Sequence, residues 1–418
     1  MIDFSRYVNH NGLPEFTEEE WVTLNEEHGK DKVRHDLQEH LILNNVPFPL
    51  REYTEEETRA KFLKFAAESQ LPHVDTAVDP NDVAEKYEYK YNFKEHGFAI
   101  ITARGGYNHI SNYFMQAERY DCGTHSGTSP IQTWNTPELL RKFNWTFWRG
   151  VRGNDGVRET NYRGAFRLGS YIATQFKPAV AKAIYEYYNA KVICDTSCGW
   201  GDRLTGFFAT PGAEQYYGCD PNPKVYEIYK EMCRFYSDAL QGPLFNEGYE
   251  LIEHEDWFEF KGAKYVRIYN RPAEDMHWAE LGIPQFDLMF TSPPYFSTER
   301  YGRGEEKEDN QSWKRYNNYE QWREGFYFPM LNNVDTNTKP GGNIIVNIWN
   351  PNVKGKIYPA CDELVDFMIK QGIQFSGQMG MRISFRPKKT EQHQELLDMI
   401  GSKFVENIWC FTKINKSC

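Results

Sequence analysis

The stretch VICDTSCGWGDRL, residues 192–204, is a short apolar run that ends on Asp195, passes through Gly199 and Gly201, and then takes up helix-forming residues. An apolar run bounded by a glycine-bearing turn reads as a buried strand entering a tight loop and then a helix. Gly199 and Gly201 carry no Cβ, so the backbone can turn sharply and a ligand can approach closely. The helix start behind them offers free N–H groups. Further along, DLMFTSPPYF, residues 287–296, delivers a Ser-Pro-Pro-Tyr tetrapeptide from a second apolar strand.

Working outward, strands are expected at 191–195, 214–220, 264–270, 286–292 and 342–349, with MGMRISF and VENIWCF as a closing pair. Helices are expected over 223–236 and near 319–334 and 359–371. The first of these carries Val225, Ile228, Tyr229, Met232 and Phe235 on one stripe. Strands alternating with helices predict an α/β fold with a mostly parallel, covered sheet. Such a sheet binds ligands beyond the carboxyl ends of its strands.

Three ligand classes compete for the 195–204 loop. A phosphate loop needs Gly-Lys-Ser/Thr, which is missing. A dinucleotide loop needs a third glycine where Leu204 stands. S-adenosylmethionine (SAM) has no phosphates to cradle, and a looser Asp-x-x-x-Gly-x-Gly loop suffices for it. Asp220, ending the next strand in GCDPN, can accept both hydrogen bonds of a ribose diol; it can equally cap the helix that follows. Glu274 and Asp275, in RPAED after the third strand, are placed for the adenine amino group.

Ser292-Pro293-Pro294-Tyr295 cannot continue a ladder or a helix, because two prolines remove two donors and fix the chain. Beyond closing a strand, such a segment can serve chemistry. An exocyclic amine on an aromatic ring is a poor nucleophile, since its lone pair is delocalised. The Ser292 hydroxyl and the Pro293 carbonyl can accept its two N–H bonds and draw the nitrogen towards a tetrahedral shape. Tyr295 can stack on the ring. Positioning of this kind requires no metal.

With these motifs in order, the chain resembles the SAM-dependent amino-methyltransferases of DNA, which make N4-methylcytosine or N6-methyladenine. The resemblance covers roughly residues 165 to 415 and implies a Rossmann-like methyltransferase sheet with SAM as cofactor. Asp195, Gly199 and Gly201 match the family's cofactor loop, Asp220 its ribose ligand, and Ser292 to Tyr295 its catalytic site. Thr174, Lys177 and Pro178 match the Lys-Pro segment and become candidates for the methionine end of SAM. Lys339 to Gly342 match its Lys-Pro-Gly-Gly turn. Asp195-Thr196-Ser197-Cys198, where family loops often read Asp-Pro-Phe, marks a divergent branch. Serine at the first catalytic position leans towards cytosine N4 over adenine N6. A duplex base must be flipped out of its stack to reach such a pocket. RNA or a protein amide is the alternative substrate, and a catalytically idle SAM-fold binding module the alternative class.

The rest of the chain frames this core. Residues 1–75 read as a helical segment, with Thr17 as an N-cap and Thr54 with Glu57 as a capping box. Residues 76–160 read as a mixed, candidate target-recognition region holding a strand at 98–104 and a helix at 136–150. Residues 161–418 read as the catalytic domain. Net charge is −11 and pI about 5.6. A dedicated DNA coater is usually basic, yet a local basic face is enough for an enzyme that visits DNA. From Arg141 to Lys177 basic residues dominate, interleaved with Trp134, Trp145, Trp148, Tyr162 and Phe166. That mixture suits phosphate contact with base stacking, or a solvated helix face over a core. Phe296, Arg149, Arg152, Arg163 and Arg386 are the candidate substrate contacts, with DNA the expected partner. The segment 297–313 is either a lid or an ordinary loop. Eight cysteines without a Cys-x-x-Cys pair predict reduced, structural thiols and no zinc site. No leader or membrane span is evident, so a cytoplasmic protein is expected. Without a nuclease motif, a solitary methyltransferase or the modification partner of a separate nuclease fits.

Overall fold

The computed structural model describes the chain except residues 70–73, 103–104, 125–126, 144–155, 170–171, 243–247, 302–307, 384–402 and 415–418. The chain forms two compact units. One comprises residues 1–53 and 116–174, the other 54–115 and 175–418.

In the larger unit the elements follow in order: helix α1 (Glu55–Ala67), helix α2 (Pro178–Tyr187), strand β1 (Val192–Asp195), helix α3 (Asp202–Ala209), strand β2 (Gln215–Cys219), helix α4 (Pro223–Gln241), strand β3 (Tyr265–Tyr269), strand β4 (Phe286–Thr291), helix α5 (Phe328–Asn337), strand β5 (Thr338–Asn347), helix α6 (Ala360–Lys370), strand β6 (Gln374–Arg382) and strand β7 (Lys403–Thr412). Across the sheet the central strands run β6-β7-β5-β4-β1-β2-β3. Pairing is parallel from β5 through β3, with Leu288 opposite Ile193 and Asn343, and Ile193 opposite Tyr216. Of these seven strands β7 runs against its neighbours, pairing antiparallel with β5 and β6. This is the mostly parallel α/β sheet with a closing antiparallel pair that the alternation of strands and helices predicts, in the Rossmann-like form that the resemblance implies. Burial along β1 and β4 is almost continuous, as expected of parallel strands covered on both faces.

The sheet extends further than the sequence reading expects. Trp257–Lys261 pairs antiparallel with β3, and Glu250–Glu253 with it in turn. At the other edge Gly97–Ile101 lies parallel to β6. Where the sequence reading sets boundaries at 75 and 160, residues 54–115 group in the larger unit with the sheet. The buried ammonium of Lys182 in α2 makes the same connection. It donates to the carbonyls of Phe65 (2.9 Å), Ala66 (3.2 Å) and Glu68 (2.9 Å), capping the carboxyl end of α1.

The smaller unit has its own core, in which Phe16, Val33, Leu37, Trp134, Tyr162 and Phe166 are all buried. Thr17 makes the full capping box with Glu20. In the larger unit Thr54 accepts from the Glu57 N–H without a reciprocal bond. The helix expected at 136–150 ends at Lys142, and residues 144–150 lie outside those described. The helix expected at 319–334 is interrupted by a π-turn at Arg323–Tyr327, just before Pro329, which has no N–H to give.

Candidate active site

Strand order reverses between β1 and β4. The chain moves outward through β2 and β3 on one side, then returns to β4 and β5 on the other. Ligands of open α/β sheets bind in the crevice beyond such a switch point. The two motif loops leave from these two strands. They are joined at the base: the Thr291 hydroxyl, one residue before Ser292, donates to Asp195 Oδ1 at 3.2 Å.

Asp195 is fully buried, and its carboxylate is engaged by protein groups throughout. It accepts from Arg203 Nε (2.7 Å) and Nη2 (3.2 Å), the Tyr216 hydroxyl (2.6 Å) and the Ser197 N–H (3.1 Å), besides Thr291. Its place is that of an internal anion tying β1, β2, α3 and β4 together. Gly199 and Gly201 take φ of +55° and +72°. A Cβ on Gly201 would stand 2.5 Å from Met232 Cε of α4. The tightness of the loop therefore comes from both conformation and packing. Gly206, one turn into α3, lets that helix lie against α2: a Cβ there would sit 2.7 Å from Ala181 Cβ.

Asp220 closes β2 beside this loop. Its Oδ2 accepts from the Gly199 N–H (2.9 Å) and the Tyr229 hydroxyl (3.4 Å), and its Oδ1 from the Asn222 N–H (3.0 Å). Burial pushes its carboxyl up to about 6, against the pull of those N–H groups. The cap of α4 is Asn222, whose side chain accepts from the Lys224 N–H, and Asp220 instead ties the loop after β1 to the turn after β2.

Glu274 and Asp275 separate. Asp275 is half exposed and pairs with Arg315 at 2.8 Å. Glu274 is buried; its Oε1 accepts from the Tyr316 hydroxyl (2.9 Å) and pairs ionically with Arg315 (2.9 Å), while its Oε2 has no partner among the described residues. Burial pushes its carboxyl up to about 7. A buried acceptor without a donor fits the amino group of an adenine, and this makes Glu274 the inward member of the pair.

Lys177 precedes α2, whose first residue is Pro178. Its ammonium donates to the Arg382 carbonyl at 3.1 Å, and burial depresses its pKa. Thr174 is the last residue of the smaller unit.

At the Ser-Pro-Pro-Tyr segment, the Tyr295 hydroxyl donates to Glu406 Oε1 at 2.9 Å and stands 3.5 Å from Ser292 Oγ. Ser292 Oγ donates to Asn347 Oδ1 at 3.4 Å. Phe296 takes φ of +51° and is buried against Tyr319, Trp322 and Tyr358. It anchors the end of the tetrapeptide, where the sequence reading has it touching substrate. Arg163 likewise has internal partners: its Nη1 donates to the Pro49 carbonyl (2.7 Å) and Glu159 (3.1 Å). Arg141 pairs with Glu39 and Arg158 with Glu15. Three of the five aromatics, Trp134, Tyr162 and Phe166, are core residues, as the solvated-helix-over-a-core reading has them. Arg149, Arg152 and Arg386, with Trp145 and Trp148, lie outside the described residues.

Sequence reasoning missed Arg203, Tyr216, Asn347 and Glu406. The last two carry a readable signal: a polar residue inside an otherwise apolar strand, IIVNIW and VENIW, needs a buried partner. No cluster of metal-ligating side chains occurs among the described residues. No helix among them is long and apolar enough to cross a membrane.

No family model and no curated protein matches the chain. Among solved structures it is similar to the methyltransferase domain of bacterial CtHen1, with 14% identity over 56% of this chain and 96% of that one, at a TM-score of 0.32. It is also similar to the N-methyltransferase NodS of Bradyrhizobium japonicum WM9, with 7% identity over 56% and 94% and a TM-score of 0.32. A SAM-dependent O-methyltransferase of Thermotoga maritima gives 11% identity over 61% and 72%, again at 0.32. Scores this low carry neither fold nor chemistry across, and both rest here on the sheet order and the loops themselves.

Proposed function

We propose that the chain is a SAM-dependent methyltransferase acting on the exocyclic amine of a nucleic-acid base, DNA first, with cytosine N4 favoured over adenine N6. The observation that carries this is the bond from Thr291 to Asp195. It locks a glycine-turned, phosphate-free cofactor loop and a Ser-Pro-Pro-Tyr segment together at the switch point of one sheet.

SAM, when bound, supplies an electrophilic methyl group on a sulfonium. Asp220 would hold its ribose hydroxyls and Glu274, through the unpartnered Oε2, its adenine amino group. Lys177, at the amino end of α2, is the candidate for its carboxylate. Ser292 Oγ and the Pro293 carbonyl accept the two N–H bonds of the target amine, and Tyr295 bounds the ring. The work of these residues is alignment, which by itself supplies several orders of magnitude in rate.

Methylation of RNA or a protein amide is the second reading. It is favoured by the net charge of −11 and by the carboxylate partners of Arg141, Arg158 and Arg163. Labelled methyl transfer from SAM to separate DNA, RNA and protein pools, followed by nucleoside mass spectrometry, decides between them. N4-methylcytosine in DNA supports the first reading, and N6-methyladenine keeps the mechanism while changing the base. Label only in RNA or protein promotes the second. SAM binding without label in any pool refutes the enzyme assignment in favour of an idle binding module.

A further inference from the structure

Two polar residues stand behind the catalytic tetrapeptide on strands that are otherwise apolar. Asn347 ends β5 and is nearly fully buried; Glu406 lies on β7. The Asn347 amide nitrogen donates to Glu406 Oε1 (3.3 Å) and to the Asn407 carbonyl (3.2 Å). Both partners are acceptors, so the amide can face them only with its NH2. Its carbonyl oxygen then points at Ser292 Oγ, 3.4 Å away. A hydroxyl has one proton and two lone pairs. With its proton held by Asn347 Oδ1, Ser292 can meet a further polar group only as an acceptor. Glu406 Oε1 also takes the proton of the Tyr295 hydroxyl at 2.9 Å. One carboxylate oxygen thus sets the direction of both side chains.

Resting on the function proposed above, we infer that Asn347 and Glu406 are positioning residues that fix Ser292 as an amine-accepting group. The logic follows from the chemistry of the target. An amine nitrogen gains nucleophilicity only if its N–H bonds are accepted. A serine free to rotate would donate to the nitrogen lone pair instead and occupy the electrons that attack. The network removes that alternative before substrate arrives. Glu406 serves through its oxygen lone pairs, and a neutral amide oxygen at the same place serves equally. Burial raises the Glu406 pKa, while Lys86 and Lys177 pull it down and Tyr295 donates to it.

The test compares E406Q, E406L and N347A with the wild-type protein, reading kcat with the most active polymer pool and SAM affinity by calorimetry. E406L and N347A are expected to lose on the order of tenfold or more in kcat, the scale of a buried group left unpartnered. SAM affinity should stay within about twofold in N347A, whose amide meets Ser292, Glu406 and Asn407, whereas Glu406 also faces Lys177; E406Q should stay within about threefold of wild type in kcat at saturating SAM. Wild-type turnover in N347A or in E406L overturns the inference, as does E406Q falling as far as E406L. If E406L loses SAM binding through misfolding, N347A and E406Q decide by the same criteria. No transfer by the wild-type protein sinks the parent function, which separates that failure from this one.

Discussion

At the residue scale, buried carboxylates do two different jobs. Asp195 is neutralised by a two-pronged guanidinium and three further donors. Removing its charge would leave Arg203 buried without a counter-ion. D195N is expected to cost about 3–5 kcal/mol of stability, measured by urea unfolding, and a loss below about 1 kcal/mol would contradict the structural role assigned to it. Asp220 has fewer donors, and burial raises its carboxyl from 3.8 to about 6. The sign follows directly. In the ligand-free protein this group favours the fold below its ordinary value, and that contribution is lost as pH rises through about 6. Ribose hydroxyls need the ionised form, so SAM affinity is expected to tighten as pH rises through the same range. Calorimetry at acid and neutral pH checks this; D220N should bind weakly with a flattened dependence, and a pH-independent wild type would remove Asp220 from the ribose.

At the element scale, the β1 loop is a case where conformation and packing demand the same residue. Gly201 sits at φ +72° at the start of α3, with Met232 of α4 where a side chain would be. G201A is expected to cost about 1–2 kcal/mol from the left-handed backbone alone and to weaken SAM binding more than it weakens the fold. Equal losses in a thermal shift with and without SAM would show that the glycine serves packing only. The glycine pair was legible in the sequence because a turn of this kind has a local signature. Gly206 was not, since its requirement arises from α2, a helix whose approach no local pattern reveals.

At the scale of the whole molecule, the sheet draws in segments from far apart in the chain. Residues 97–101 join β6, and the hairpin 250–261 extends β3. Candidate phosphate contacts shift accordingly. With Arg163 held by Glu159 and Pro49, Arg149 and Arg152 are the basic-stretch residues on which the nucleic-acid reading proposed above is tested. Reversing both charges is expected to weaken DNA binding severalfold or more at moderate salt, with SAM affinity intact. Unchanged retention in a gel-shift titration would refute their role.

The sequence by itself determined the alternation of strands and helices, the closing pair, the glycine-turned loop after β1 and the proline-fixed tetrapeptide after β4. Each of these is written in neighbouring residues, as periodicity, glycine or proline. Tertiary structure decided what depends on partners distant in the chain. It turned Phe296 and Arg163 inward, and it buried Glu274 while leaving Asp275 half exposed. It drew residues 54–115 into the sheet unit, and it placed Asn347 and Glu406 behind Ser292. A strand's side chains face a core or a ligand according to what lies across from them, and that neighbour is supplied only when the sheet is assembled.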